Sequence, residues 1–426
     1  MRVHIIGINY WPEVTGIAVF STGRAEHLAS VGHDVTMCAA VPYYPQWRVP
    51  AEYHGLRFTV ERRAAVTILR CPLYVPSAVN PIRRVLHEAS FIASAFLRSL
   101  FSPRPDILFV VSPPLGLAIA AVILGWMWRV PYVFHVADLQ PDTALDLGMV
   151  RPGRFARLLY AVERLGYRRA AIVSTLTEPM RARIIGKGIP AAKVMLFADW
   201  ADPQLFALDG GQSGGIRQAL GLGDRFLVLH AGNMGVKQGL DVVLDAAQHT
   251  RSNPGIVYLL VGDGAMRPHL ERGARALGLD HVRIVPLLEQ ERFLRVLAAA
   301  DVCLVTQQRA VADVVFPSKV LTLLAAGKAV IASVTGGSAV ANVIAGAAAG
   351  MVVPPEDGDT LVTAIEALRR DTSLRAGMGA AGRAYASRHW ERTATLRYLT
   401  DTVGRVAEAS STGAPAPTAA KGQPRG

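Results

Sequence analysis

The chain is 426 residues long, 51% hydrophobic and only 18% charged, with a formal net charge of +12. That length holds two or three domains, each large enough to bury a core of its own. Three cysteines, Cys38, Cys71 and Cys303, lie far apart with no ligand spacing, which excludes a disulfide framework and a zinc site and points to a reducing compartment.

The chain starts Met1-Arg2-Val3-His4-Ile5-Ile6-Gly7, with one charge, a very short apolar run and no small-residue cleavage site, so it reads as a first strand and not as a signal peptide. Strands are expected at Val3–Ile8, Asp34–Ala39, Ile107–Val111, Tyr132–His135, Ala171–Ser174 and Val194–Phe197. Helices are expected at Ile17–Val31, Arg84–Leu100, Leu115–Trp128, Phe155–Arg169 and Glu178–Lys187. The longest uncharged run, Ile107–Trp128, could span a bilayer by length, but Pro113-Pro114 divides it into a buried strand and a buried helix.

Asp209–Gly215 is a polar, glycine-rich break and reads as a linker. A second α/β pattern follows, with strands at Phe226–His230, Val257–Val261, Val282–Val285, Val302–Val305 and Val330–Ala332. Its helices are expected near Gly239–His249, Met266–Leu277, Gln290–Ala299, Ser318–Ala326 and Thr360–Arg369, with residues 372–406 helical as well. Alternation of this kind, repeated in tandem, predicts two Rossmann-like doubly wound domains facing across a cleft, with ligands beyond the carboxyl ends of the strands.

Charge is uneven: residues 1–200 hold 22 Lys/Arg against 13 Asp/Glu, the remainder 23 against 20. No basic helix or basic-aromatic pattern marks nucleic acid as the anionic partner. An anionic membrane surface fits the basic, apolar first half better, with Arg83, Arg84 and the apolar Phe91, Ile92, Phe96, Leu97 and Phe101 as the docking surface.

Several strand-end segments carry residues suited to chemistry. Gly7–Gly16 follows the first strand; Gly16 permits close backbone approach at a helix start, and Glu13 can bond a hydroxyl. The segment is not a GxGxxG, so a nicotinamide dinucleotide is disfavoured. Tyr43, Tyr44 and Trp47 cluster on a loop that two prolines stiffen, and offer faces for a sugar or lipid. His135 and Asp138 end a strand and read as an acid/base or orienting pair. Gly232, Gly235 and Gly239 give a glycine-rich turn with Lys237 available to neutralise a diphosphate. Gly262 and Pro286 end the next two strands. At Phe316-Pro317-Ser318-Lys319, Pro317 fits a first helical turn, Ser318 can bond free amides and Lys319 adds charge. No Asp-x-Asp occurs in these loops to carry a divalent ion.

These motifs resemble glycosyltransferase family 4, the retaining group with the GT-B fold, over nearly the whole chain to about residue 406. The resemblance rests on Gly-Ile-Asn-Tyr-x-Pro-Glu-x-Thr-Gly-Ile (7–17), Pro-Tyr-Tyr-Pro-Gln-Trp (42–47), Arg-Cys-Pro-Leu-Tyr-Val-Pro (70–76), Gly-Asn-x-Gly-x-Lys-Gln-Gly-Leu (232–240) and Pro-Ser-Lys (317–319), and is nearest to the colanic acid and exopolysaccharide branch. It implies sugar transfer from a nucleoside-diphosphate sugar, a substrate and not a cofactor, to a lipid-linked saccharide. The implied division is an acceptor-side domain over 1–205, a nucleotide-sugar domain over 206–384, a helix at 385–406 crossing back and a disordered tail at 407–426.

The resemblance also implies site roles. His135, Asp138 and Lys237 would be catalytic; Gly16, Gly232, Asn233, Gln238, Gly262, Pro286, Pro317, Ser318, Lys319 and Thr322 would hold the donor; Glu13, Tyr43, Tyr44 and Trp47 would meet the acceptor. The expected reaction is retaining and metal-independent, in an enzyme peripheral to the cytoplasmic face of the plasma membrane. The family's two glutamates, with seven residues between them, are replaced here by Val314 and Thr322, so ribose contacts come from elsewhere. Its Gly-Arg…Lys-Gly reads Gly232-Asn233…Gln238-Gly239, with Lys237 one place early. Two rivals remain: a sugar-nucleotide epimerase on the same architecture, and a non-catalytic nucleotide-sugar-binding partner in a polysaccharide assembly complex.

Overall fold

The computed structural model describes residues 1–14, 16–55, 57–78, 80–146, 148–208, 214–311 and 317–412. Val314, Phe316, most of the expected linker and residues 413–426 lie outside them. The chain divides into two compact units, Met1–Asp199 with Thr393–Gly426, and Trp200–Arg392.

The first unit contains an eight-stranded sheet. Its strands are β1 (Arg2–Ile6), β2 (Asp34–Ala40), β3 (Thr59–Arg63), β4 (Val66–Cys71), β5 (Ile107–Ser112), β6 (Tyr132–Val136), β7 (Ile172–Thr175) and β8 (Val194–Leu196), in the order β3-β4-β2-β1-β5-β6-β7-β8. All pairs are parallel except β3–β4. The central strands read as unbroken apolar runs because helices cover both faces; every residue of β5 is buried.

The β3–β4 hairpin is absent from the sequence reading, for two physical reasons. β3, Thr-Val-Glu-Arg-Arg, is a polar edge strand. Its turn is made by Ala64 and Ala65 at φ 46° and 64°, residues that carry no glycine or asparagine turn signal.

The second unit contains six parallel strands: β9 (Phe226–Ala231), β10 (Ile256–Val261), β11 (Val282–Val285), β12 (Val302–Thr306), β13 (Val330–Ser333) and β14 (Gly350–Val353), in the order β11-β10-β9-β12-β13-β14. Its core packs Val243, Leu244, Tyr258, Leu304, Ile331 and Leu361 between sheet and helices. Asp357 caps the helix Gly358–Arg370 by accepting the Thr360 N–H at 2.9 Å. The sequence reading omits β14, which is only four residues long and begins with glycine.

Both sheets are doubly wound about a first strand, β1 between β2 and β5, and β9 between β10 and β12. The connections diverge there, so the chain leaves a crevice beyond the carboxyl ends of these strands. Two terminal expectations need correction. The helical stretch after residue 372 is not continuous but breaks at buried Trp390, giving Thr372–His389 and Arg392–Thr412. The last helix also runs beyond Val406 into the expected tail: Ala407, Glu408 and Ala409 favour helix, and the Thr412 hydroxyl closes it onto the Glu408 carbonyl at 2.9 Å.

Candidate active site

In the second unit the crevice is lined by backbone. β9 ends at His230-Ala231, and Gly232 follows at φ 127°, a conformation that favours glycine. Its N–H bonds the Val261 carbonyl at 2.9 Å. Gly262, after β10, has φ 150°, and a Cβ there would sit 1.9 Å from the Gly232 carbonyl oxygen. The Met234 N–H bonds the Asp263 carbonyl at 2.8 Å, and Met266 donates back to Met234 at 2.9 Å. Two loops are thereby fixed to each other by main-chain hydrogen bonds.

Lys319 reaches over this floor. Its amine lies 3.5 Å from His230 Nε2, and a Cβ on Gly232 would be 3.7 Å from it. Burial pushes the Lys319 amine down to about 7. His230 is fully buried, and burial, then the Lys319 charge, holds its imidazole well below its usual value. A buried amine beside a neutral imidazole and bare glycine backbone is a site prepared for an anion: bound phosphate would restore the amine's proton.

The remaining residues expected to hold the donor surround this centre or stand off it. Lys237 and Gln238 form a short 3-10 turn, Val236–Gln238; Gln238 Oε1 accepts the Gly235 N–H at 3.0 Å, and the Lys237 carbonyl accepts from Gln308 at 2.9 Å. Asn233 is exposed, as is Pro286 beyond β11. Pro317 is half-buried before the helix Lys319–Ala325, and Thr322 lies one turn beyond Lys319. Ser318 does not cap this helix: its backbone is already helical, φ −56° and ψ −19°, and a capping hydroxyl needs an extended residue.

The first unit builds its crevice from side chains. Glu13 is buried, and its Oε1 accepts the N–H groups of Tyr43 at 2.9 Å and Tyr44 at 2.8 Å, while Oε2 accepts from Asn9 at 2.8 Å. The carboxylate therefore braces the aromatic loop. Burial raises its pKa, opposed by those two backbone donors. Tyr43 is itself buried, edge-on to Trp47 at 5.5 Å and to His87 at 4.6 Å. Tyr44 and Trp47 are half-buried. Gly16 starts the helix Ile17–Ser30 at φ 61°, and a methyl group placed on it would meet no atom of the described residues within 4 Å. The position needs glycine for its backbone and leaves open space above.

His135 and Asp138 do not form the expected pair. His135 is completely buried in β6, with Nδ1 and the Ser174 hydroxyl 3.0 Å apart and Nε2 without a partner among the described residues. Its ring stacks at 5.9 Å on Phe109 and 6.4 Å on Phe197. Burial, then the Arg24 charge, keeps it neutral. Asp138 instead accepts the Thr143 hydroxyl at 2.7 Å.

Sequence reasoning passed over three supports. His230 stands directly before the glycine turn, a position that could have flagged it. Arg70 is fully buried, bonded to the Trp11 carbonyl at 2.5 Å and paired with Glu61 at 3.0 Å across the unforeseen hairpin. Arg24 and Asp199 form a buried ion pair at 2.6 Å, 175 residues apart in sequence and without local signal.

Two Rossmann-like units with crevices at β1 and β9 define the GT-B class of glycosyltransferases. The chain belongs to that family: a glycosyl transferase 4-like domain matches residues 15–200 and a glycosyl transferases group 1 domain matches residues 214–385. It is 34% identical over 405 residues to the putative colanic acid biosynthesis glycosyl transferase WcaI of Escherichia coli K12, covering 93% of this chain and 98% of that one. Its fold is similar to sucrose-phosphate synthase from Thermosynechococcus elongatus, with TM-score 0.74 at 19% identity over 96% and 99% of the two chains. It is likewise similar to Anabaena HepE in complex with UDP-glucose, with TM-score 0.71 at 16% identity over 95% and 99%. The protein is a glycosyltransferase.

Proposed function

We propose that it transfers a sugar, with retention, from a nucleoside-diphosphate sugar to a lipid-linked saccharide in the assembly of a colanic-acid-type surface polysaccharide. The Lys319–His230 contact over Gly232 and Gly262 carries this reading, because it offers an anion both a titratable amine and close backbone approach. Lys319 and Lys237 neutralise the diphosphate. Gly232, Asn233 and Gly262 line its backbone cradle, with Gln238 and Pro286 further out and Pro317, Ser318 and Thr322 at the helix start. The sugar C1–phosphate oxygen bond breaks, the acceptor hydroxyl forms the new bond to C1 on the same face, and its proton passes to the departing diphosphate. No metal ion enters this scheme.

In the first unit, Tyr44 and Trp47 present ring faces to the acceptor, held in place by Glu13 and Tyr43, while Gly16 leaves room at its helix start. His135 acts as a neutral imidazole buried in β6, and Asp138 orients the acceptor. Sequence similarity to WcaI supports the polysaccharide assignment. The enzyme works at the cytoplasmic side of the membrane, where nucleotide sugars are supplied.

The test is release of nucleoside diphosphate from a panel of UDP- and GDP-sugars with and without a membrane lipid extract. Release requiring both one donor and the extract is expected. Consumption of donor without acceptor indicates an epimerase; binding without turnover indicates a non-catalytic partner.

A further inference from the structure

The helix Pro81–Leu100 brings its first two turns to the aromatic loop of the first unit. Its inner face is His87, Phe91, Ala95 and Ser99, all buried, so Phe91, expected from sequence on a docking surface, belongs to the core. His87 is 2% exposed, and its ring is enclosed by Tyr43 at 4.6 Å and Trp47 at 5.1 Å. Nδ1 lies 2.6 Å from the Tyr74 carbonyl. A carbonyl only accepts, so Nδ1 carries the proton and donates it. Burial holds the imidazole below its usual pKa, which keeps it neutral. Nε2 is therefore a bare acceptor, buried and without a partner among the described residues. Such an atom costs free energy until a donor reaches it.

Of the two rings that enclose it, Trp47 is the less firmly held. Tyr43 is buried and its N–H is bonded to Glu13. Trp47 is half-buried, its backbone lies at φ 52°, a left-handed conformation that is strained for an aromatic residue, and no hydrogen bond holds that backbone among the described residues. Ring packing keeps it in place. Beside His87, Glu88 presents further acceptors. Its two oxygens take long bonds from Gln140 Nε2, both 3.2 Å, and Oε1 takes another from Arg84 at 3.2 Å, while Gln140 Oε1 accepts the Leu115 N–H. The Glu88 side chain is 22% exposed, so it remains open to a stronger donor.

We infer that Trp47 is a displaceable cover over a neutral-sugar subsite: the terminal sugar of the acceptor moves the indole off His87, donates one hydroxyl to His87 Nε2 and donates its neighbouring hydroxyl to Glu88. This rests on the acceptor side proposed above for the first unit, and adds what the acceptor carries there. Two acceptors side by side call for two donors, which adjacent hydroxyls supply. A carboxylate or phosphate at this position brings no donor and meets Glu88 with like charge, so the subsite rejects an acidic sugar. Binding relieves both the strain at Trp47 and the empty lone pair of His87; a purely structural aromatic cluster relieves neither.

The first measurement needs no turnover. Diethyl pyrocarbonate acylates an accessible neutral imidazole nitrogen, and the adduct on the His87 peptide of the full chain is counted by mass spectrometry. Trp47→Ala should speed modification of His87 at least about tenfold. Methyl glycosides of neutral hexoses should slow it in the parent, and the matching uronic acids should not. The second measurement is diphosphate release with the membrane lipid extract. His87→Asn, which can keep the bond to the Tyr74 carbonyl but has no atom at the Nε2 position, should raise the KM for extract at least about tenfold with donor affinity as in the parent. Glu88→Ala should act in the same direction, and His87→Gln, whose carboxamide reaches the Nε2 position, should recover part of the loss. If His87→Asn does not fold, Glu88→Ala and the reactivity of His87 in the parent carry the test. Release that needs the extract but is indifferent to these variants overturns the subsite and leaves the transferase reading standing. If no donor is turned over at all, protection of His87 still decides the subsite. Equal reactivity of His87 in the parent and in Trp47→Ala, no protection by any neutral glycoside, or equal protection by the uronic acids overturns it.

Discussion

The two crevices are built by opposite means. In the second unit the floor is main chain, with Gly232 and Gly262 in direct contact and one lysine above them. In the first unit it is side chain: a carboxylate bracing two tyrosine amides, an aromatic cluster and a buried arginine. Bare backbone suits a phosphate, which is alike in every nucleotide sugar, and tolerates no added atom. Side chains can be exchanged one at a time, which suits an acceptor that differs from enzyme to enzyme.

The sharpest way to break this contrast is Gly262→Ala. A methyl 1.9 Å from a carbonyl oxygen, on a residue at φ 150°, should cost about 4 kcal/mol, read from the denaturant midpoint. A stable Gly262→Ala would show that the loops separate easily. Glu13→Ala leaves two backbone donors unpaired and should cost about 3 kcal/mol, raising acceptor KM while donor affinity holds. If donor affinity falls instead, the crevices are not divided by substrate.

Lys319→Met should weaken donor binding about 100-fold while raising stability at neutral pH, since it removes a charge-assisted contact to the donor together with a buried amine that disfavours folding. The pH dependence of donor affinity sharpens the same point. The free amine titrates at about 7, and a diphosphate raises that value, so binding takes up a proton above pH 7. Affinity should fall by up to about tenfold per pH unit there, and Lys319→Met should flatten the profile. The sign for stability is opposite: the folded amine releases its proton before the unfolded one, so the penalty this group places on folding falls as pH rises from about 7 toward 10.5. The smallest effect belongs to Ser318→Ala, within about 0.5 kcal/mol by denaturation because no cap bond is lost. A drop in donor affinity without a drop in stability would place the hydroxyl on the donor.

The main-chain crevice was also the more legible one. Glycines at 232, 235, 239 and 262 announce a turn by composition, and strands and helices alternate cleanly around them. Lys319 stood out beside Pro317, although the capping role of Ser318 did not hold because the chain is already helical when it reaches that residue. The side-chain crevice was only half legible. Glu13 and the tyrosines stood out, but the 30-residue separation of Glu13 from Tyr43 conceals that one holds the other. Arg70 depends on a hairpin whose alanine turn leaves no trace, and His135 reads as half of an acid/base or orienting pair because burial between Phe109 and Phe197 cannot be read from a strand end.

The first unit is discontinuous, which bears on how the protein comes into being. Tyr398 packs edge-on to Phe197 at 5.7 Å, and Leu396, Leu399, Val403 and Val406 are buried, so this unit lacks one of its walls until residues 393–412 have been translated. Nascent domains ordinarily fold as they emerge, earliest segment first. Here the earlier-made unit must wait on the ribosome with an open flank while the later-made one, continuous from Trp200 to Arg392, can finish before it.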